Sequence, residues 1–411
     1  MKQGTVELEI ERIVAGGLGL ARTPGGVVLV RGALPGERVS ARPAVKSGVL
    51  RAHAIEILDP HPHRVDIALP PGADLPLEYD EQLPVKQSLV EEALARIGKV
   101  DAKIEQIHPS PRSLAYRTAA QYAAAPGGGL AARAQDSDRL VRLVSDPLVA
   151  EPIAQAFAIC AERSLHGIEE VVLRASLHAK GVLAGLIGER KANTDRIARA
   201  LEDGGVAGVI WAEPDPIGRF RGRTRLLNGA ERLIEDFGVH ATVAVQSFSQ
   251  VNPLAARGLY REAAELAGTG ERAIDLYAGA GVLGLHLAGS FKEVIAVEIN
   301  ADAVRRGEAD ARRLGAGTLT FHRGDARSAR HFLPADVLVV DPPRAGLTKE
   351  VAGLISENSP ARIVYVSCDP TTWARDVRRL CQTGYGLTFA RPYDFYPFTH
   401  HVEVLSLLER Q

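Results

Sequence analysis

Apolar residues along this chain follow three successive patterns. Over residues 1–58, short β-type runs (VELEIERIV, VVLVRGALPGERVSARPAV, VLRAHAIEIL) alternate with glycine-rich turns such as Gly16-Gly17-Leu18-Gly19. Closely spaced short strands of this kind predict a small β-barrel. Asp59-Pro60-His61-Pro62-His63 is a proline-punctuated exit, with His61 and His63 read as linker residues. Helical spacing then appears at Leu89, Ala93, Leu94 and Ile97 and is broken at His108-Pro109-Ser110-Pro111. Strands and helices mix from there to about residue 240. Beyond Ala241 the pattern changes to short continuous apolar runs, AIDLY, VIAVEIN, LTFHR, VLVV and IVYV, each followed by a turn. Such runs are strands buried on both faces of a parallel sheet. The expected fold is α/β multidomain: an OB-like β-barrel over 1–58, a linker and mixed α/β central domain over 59–240, and a Rossmann-like domain over 241–411.

Composition narrows this only slightly. A chain of 411 residues exceeds one ordinary core, and 46% apolar with 24% charged residues is the balance of a soluble globular protein. Neither a signal peptide nor a long uncharged apolar run is visible, so a cytoplasmic protein without a membrane span is expected, and a monomer. The net charge of −1 does not announce a nucleic-acid partner, yet charge is segregated locally. Arg31, Arg38, Arg42, Lys46 and Arg51 enrich the barrel. Arg219, Arg221, Arg223 and Arg225 alternate with Phe220, Gly222 and Thr224, which in a strand would line four guanidinium groups along one face. That row could follow a phosphate backbone or guard a sheet edge. Cys160, Cys368 and Cys381 form neither a disulfide framework nor a CxxC metal pattern. Cys160, within AQAFAICAERSL, reads as a buried structural thiol.

Candidate chemistry gathers at the strand ends of the last region. AIDLYAGAGVLG runs a strand into Gly279, Gly281 and Gly284, and Glu298 closes the next run about twenty residues later, where a carboxylate can hold ribose hydroxyls. Taken alone, this fits a dinucleotide enzyme as well as one using S-adenosylmethionine. Asp325 after LTFHR and Asp341-Pro342-Pro343-Arg344 after VLVV turn the reading toward methyl transfer to a planar nitrogenous ring. Cys368 follows IVYVS and precedes Asp369-Pro370-Thr371-Thr372, a cap with proline in a first helical turn. A helix amino terminus at that point is expected to help lower the thiol pKa.

In this order the segments resemble the RNA uracil-5 methyltransferases that make 5-methyluridine in ribosomal and transfer RNA. GGLGLARTPGGVVLVRGALPGERV is similar to the family's TRAM domain, an RNA-binding barrel. FSQVNPLAARGLY, DLYAGAGVLG, VDPPRAGL, VSCDPTTWARDV and HHVEVLSLLER follow in family order. The resemblance implies Cys368 as nucleophile and Glu403 as general base. It implies Gln250, Tyr277, Gly279, Gly281, Val282, Glu298, Asp325 and Asp341 as contacts to S-adenosylmethionine, with valine at 282 where the family often has asparagine. Phe248 becomes a candidate stacking platform for a flipped base, and Arg117 and Arg344 candidate RNA contacts. Many TRAM-containing relatives also carry four cysteines holding a [4Fe–4S] cluster. Here PPGADLPLEYDEQL has none and Asp146 stands where a fourth ligand would be expected, so no iron–sulfur cluster is expected.

The reaction asks for these residue types on its own account. Uracil C5 is too weak a nucleophile to take a methyl group from a sulfonium, so a thiolate must first add at C6. The C5 proton must later leave, and Glu403 shares a strand face with Leu405 and Leu407, apolar surroundings that would raise its basicity. The expected partner is RNA, 23S ribosomal RNA ahead of transfer RNA because of the barrel. The same reaction on transfer RNA, a cytosine-5 methyltransferase, a dehydrogenase and a non-catalytic RNA-binding protein are the alternatives.

Overall fold

The computed structural model describes residues 4–46, 49–134, 138–190, 192–358 and 360–411. Its first six strands, between Val6 and Asp59, form one sheet in which neighbours are antiparallel except for Gly26–Arg31 beside Val49–Asp59. Alternation puts Leu8, Val28, Val30, Val39 and Ala41 into one small core. The positive charge read from the sequence is partly spent within this sheet: Arg38 reaches both Glu7 (3.1 Å) and Asp59 (2.8 Å). The side chain of Lys46 lies outside the described part.

A second sheet of seven strands runs from Ala119 to Gly229. Helices Glu151–Ala161 and Ala192–Asp203 bury Ile153, Phe157, Ile197 and Leu201 against it. Cys160 belongs to this core, and burial pushes its thiol up to about 12. Asp146 caps the same region, accepting from the Tyr122 hydroxyl (3.0 Å) and from Leu148 N (3.1 Å). The arginine row is not a strand face. The strand begins only at Thr224, because positive φ at Phe220 (59°) and Gly218 (151°) breaks the alternation that a pleated face needs. Arg219 instead pairs with Glu170 (2.6 Å) and Arg223 with Glu213 (3.0 Å), leaving Arg225 alone of the four within the strand.

The last sheet positions the candidate chemistry. Its strands are β1 (Gly270–Leu276), β2 (Phe291–Glu298), β3 (Leu319–Arg323), β4 (Val337–Val340), β5 (Arg362–Ser367), β6 (Tyr385–Tyr393) and β7 (Glu403–Arg410). They lie in the order β3-β2-β1-β4-β5-β7-β6, with β1 to β5 parallel and β7 antiparallel between β5 and β6. Helices α1 (Pro253–Ala267), α2 (Val282–Leu287), α3 (Ala301–Leu314), α4 (Lys349–Asn358) and α5 (Pro370–Cys381) cover the two faces. Ile274 and Leu276 of β1 enter the core shared with α4 and α5, whereas Ala273 enters the core shared with α1, α2 and α3. The continuous apolar runs are therefore buried on both sides, as the pattern demands. Helix Tyr79–Ala93, within the 59–240 stretch, gives Val90 and Ala93 to the α4/α5 core. Its Lys86 is fully buried and reaches Asp394 (2.5 Å) and the Tyr396 carbonyl (2.9 Å).

Chain order reverses between β1 and β4. A crevice opens at the carboxyl ends of strands at such a switch point.

Candidate active site

Three neighbouring strand ends and one antiparallel insertion build the site. Register pairs Ser367 of β5 with Val404 of β7, and one residue further along both strands stand Cys368 and Glu403. An antiparallel β7 thus delivers its first residue to the carboxyl end of β5. Both side chains line a cavity of about 520 Å³. Asp341, Pro342, Pro343 and Arg344 enter from the end of β4, Tyr277 and Gly279 from β1, and Glu298 from β2. Gln250 and Phe248 come from the segment before α1. Phe248 is 83% exposed at this wall, an unusual place for a large aromatic.

The glycine turn is shaped by close packing. Gly281 has φ 73°, and a Cβ there would meet the Phe321 ring at 2.5 Å. Glu298 fixes the turn from the next strand, its two oxygens accepting from Gly279 N (2.9 Å) and Asn300 N (2.6 Å). Tyr277 sits at φ 60°, a left-handed conformation costly for a bulky residue and held here at the cavity wall.

Not every residue expected at the site lines this cavity. Gly281 shapes the turn from behind. Val282 starts α2 and packs onto the apolar core. Asp325 caps the 3₁₀ turn Ala326–His331 and is held by Arg327 (2.7 Å), which keeps its carboxyl below the usual range. Arg117 is also absent from the lining; its main chain bridges to Leu148 and Ala150. Conversely, Asn300, Ala303, Arg306, Tyr396 and His401 line it and were not singled out from sequence. Asn300 and Glu298 both close VIAVEIN, and His401 stands two residues before Glu403, so local signals existed for those two. Arg306 and Tyr396 had none: Arg306 depends on the facing of α3, and Tyr396 on a loop held by Lys86 from 310 residues away.

Electrostatically the site is crowded with acids. Burial, then the charge of Asp341, raises Glu403 to about 8, against the opposing pull of Arg344 and a hydrogen bond with Tyr396. Burial alone raises Asp341 to about 7. Behind them Asp275 is raised to about 8, by burial and then by Asp341, although it accepts from Gly284 N (3.0 Å). Burial, then Glu403 and Asp341, pushes the Cys368 thiol up to about 12, with Arg344 opposing. This overturns the expectation of a thiol acidified by its helix. The amino-terminal donors of α5 are taken by Asp369, whose carboxylate accepts from Thr371 N and Thr372 N (both 2.9 Å). Burial, then His400 and Arg344, holds His401 down at about 4, and its ring lies 3.3 Å from the Arg344 guanidinium.

Beyond Cys368 lies a second cavity of about 380 Å³. Val14 to Gly16 of the first sheet, Arg96 and His400 form its walls. His400 is held by the Asp74 carboxylate (2.7 Å).

Known proteins resemble this chain in sequence and in fold. The family described as tRNA (Uracil-5-)-methyltransferase matches residues 316–411, which include Asp341, Cys368 and Glu403. An uncharacterised RNA methyltransferase of Halalkalibacterium halodurans is 32% identical over 99% of this chain and 97% of its own length. One from Thermosynechococcus vestitus is 33% identical over 98% of each. The chain belongs to the S-adenosylmethionine-dependent RNA uracil-5 methyltransferases. Among solved structures, the Pyrococcus abyssi tRNA (uracil-54, C5)-methyltransferase in complex with S-adenosyl-L-homocysteine has the same fold. It superposes with a TM-score of 0.81 at 23% identity, over 98% of this chain and 100% of that one.

The cavity suits the family's cofactor on chemical grounds. Gln250 is 7% exposed, and its side-chain oxygen has no partner at the wall. Glu298 and Asp341 add acceptors suited to hydroxyl and cationic groups. Among the described residues, no helix is long and apolar enough to cross a membrane.

Proposed function

We propose that this protein methylates C5 of a uridine in RNA, with 23S ribosomal RNA as the substrate, Cys368 as nucleophile and Glu403 as the base that removes the C5 proton. The observation that carries the reading is the thiol and the buried carboxylate sharing one cavity wall at the register step after Ser367 and Val404. Gln250, Tyr277, Gly279, Glu298 and Asp341 would hold S-adenosylmethionine, which when bound supplies an electrophilic methyl group to the activated C5. Asp325, Gly281 and Val282 take part indirectly, through the shape of the surrounding turns.

Cys368 gives its proton to solvent and its sulfur adds to C6, moving the C5–C6 electron pair toward C5 and O4. Arg344 favours the thiolate electrostatically. After methylation the C5 proton passes to Glu403, the double bond re-forms and the C6–sulfur bond breaks, returning the thiolate. A carboxylate with its pKa raised to about 8 is a far stronger base than a solvated glutamate. Tyr396 fixes its orientation. The target base must leave its stack, at roughly a few kcal/mol, and the exposed Phe248 ring offers a face to receive it. The first sheet is read as the TRAM barrel, placing RNA across the 380 Å³ cavity next to Cys368.

A second reading, the same reaction on transfer RNA, is favoured by the Pyrococcus abyssi fold likeness. That protein covers the first sheet as well, so the barrel does not discriminate between the RNAs. Labelled S-adenosylmethionine and total RNA from a strain lacking this gene decide between them. Label in 23S RNA as 5-methyluridine, absent with Cys368→Ala, is the expected result. Label confined to transfer RNA would overturn the substrate, and label independent of Cys368 the mechanism.

A further inference from the structure

A cluster outside the cavity that holds Cys368 and Glu403 remains unexplained. His178 occupies the turn between strands Ile168–Ser176 and Gly181–Gly188 of the central sheet. Asp236 and His240 face one another across the hairpin formed by Leu233–Asp236 and His240–Val243. One ligand atom from each of the three lies within 4.8 Å of the other two, and the imidazole rings are 4.4 Å apart. We propose that His178, Asp236 and His240 bind one divalent first-row transition-metal ion, of which zinc is the best match, and that the ion clips the central sheet to the hairpin preceding the catalytic sheet.

The backbone around the cluster is held before any ion arrives. Glu235, only 2% exposed, accepts from Leu177 N (2.7 Å) and His178 N (3.2 Å), tying the His178 turn to the hairpin. Ser176 adds a second tie, donating its hydroxyl to the Ile234 carbonyl (2.6 Å) and accepting from Ala179 N (2.8 Å). The Asp236 carboxylate is oriented by Gly238 N (2.7 Å) and Arg257 (2.8 Å), and each oxygen keeps a lone pair. Opposite the hairpin, Arg313 of α3 donates to the His240 carbonyl (2.6 Å), carrying the connection into the catalytic sheet's helices.

The donor set selects the ion. Two imidazoles and one carboxylate, with room for water, make a three-ligand zinc-type site. Calcium and magnesium prefer more oxygen donors than one carboxylate offers. Arg257 and Arg313 are nearby charges that oppose a cation, and the Arg257 bond to Asp236 lowers affinity for a weakly coordinating ion most. His178 and His240 are exposed, so an ion has an open path to them.

The test uses metal-free full-length protein carrying Cys368→Ser, so that the active-site thiol cannot compete, titrated with Zn²⁺ by calorimetry and with Co²⁺ by visible absorption. One equivalent should bind, with ligand-field bands and no thiolate charge-transfer band. His178→Ala and His240→Ala, on separate segments and at exposed positions, should each weaken binding at least ~100-fold while leaving circular dichroism unchanged. Absence of stoichiometric binding, or binding that survives both histidine substitutions, would overturn the site. Methyl transfer is not a readout, so the result stands apart from the proposed reaction.

Discussion

Cys368 and Glu403 are coupled through a shared shortage of positive charge. Arg344 is a cation that acts on both, whereas Asp341 pushes both toward the neutral form and Glu403 pushes Cys368 the same way. The uncharged resting pair is therefore favoured near neutral pH, and activity should rise with pH as Glu403 ionises. With Glu403 raised to about 8 and the Cys368 thiol pushed up to about 12, kcat/KM for RNA should climb steeply with pH up to 8, less steeply once Glu403 has ionised, and keep rising above it as the thiol ionises. A profile already flat at pH 6 would sink the assignment of Glu403 as the base. Glu403→Gln should permit addition of the thiol and block loss of the C5 proton, so a covalent protein–RNA species resistant to denaturing electrophoresis should accumulate. Cys368→Ala should give none. Phe248→Ala removes an exposed ring that supports nothing in the fold, so RNA KM should rise ~10-fold or more, a base-stacking contribution of about 1–3 kcal/mol, with cofactor affinity unchanged. Equal losses in both would refute stacking.

At the scale of the element, the turn after β1 depends on α3 coming very close. A Cβ at Gly307 would lie 2.3 Å from the Phe321 ring and 2.7 Å from the Ala280 carbonyl. Gly307→Ala must push the helix off that backbone, so we expect a loss of about 1–3 kcal/mol in stability together with weaker cofactor binding, by denaturant titration and calorimetry. An unchanged midpoint would mean the loop yields freely. Lys86 makes a parallel case in the helix Tyr79–Ala93. Lys86→Met leaves Asp394 buried without its cation and should cost about 3–5 kcal/mol, whereas Lys86→Met with Asp394→Leu should recover much of it. These two elements also mark what was legible in the sequence. The apolar runs of β1, β2, β4 and β5, the Asp369 cap and the alternation that buries Glu403 beside Leu405 are local signals, and each is realised in the structure. Arg306 and Tyr396 depend on helix facing and on a contact over 310 residues, which no window of sequence contains. The arginine row failed for the opposite reason. Alternation implied a strand, but backbone reversal at Gly218 and Phe220, which a pattern of side chains does not record, turned the segment into a loop.

For the whole molecule, the acidic site sets a pH dependence of stability opposite in sign to the common salt-bridged case. Asp275, Asp341 and Glu403 are all raised, to about 8, 7 and 8, mainly by burial. In the unfolded chain such carboxyls titrate near ~4. Between those limits the folded state binds more protons than the unfolded one, so the contribution is full below the unfolded value of ~4 and is lost progressively as pH rises through the folded values. One such group changes the unfolding free energy by at most ~1.4 kcal/mol per pH unit. Glu403→Gln removes one of the three without emptying the cavity. Relative to the native protein, it should gain roughly 2–4 kcal/mol in stability between pH 5 and pH 8, a difference that urea titrations at the two values would reveal. The gain should be small at pH 5, where Glu403 is already protonated when folded. The charge of Cys368 should follow, since removing the Glu403 carboxylate removes the second-largest influence that holds its thiol up, and its reaction rate with iodoacetamide at pH 8 should increase. A variant less stable than the native protein at pH 8, with a thiol no more reactive, would mean that Glu403 is ionised and compensated in the resting site and that the base chemistry must lie elsewhere.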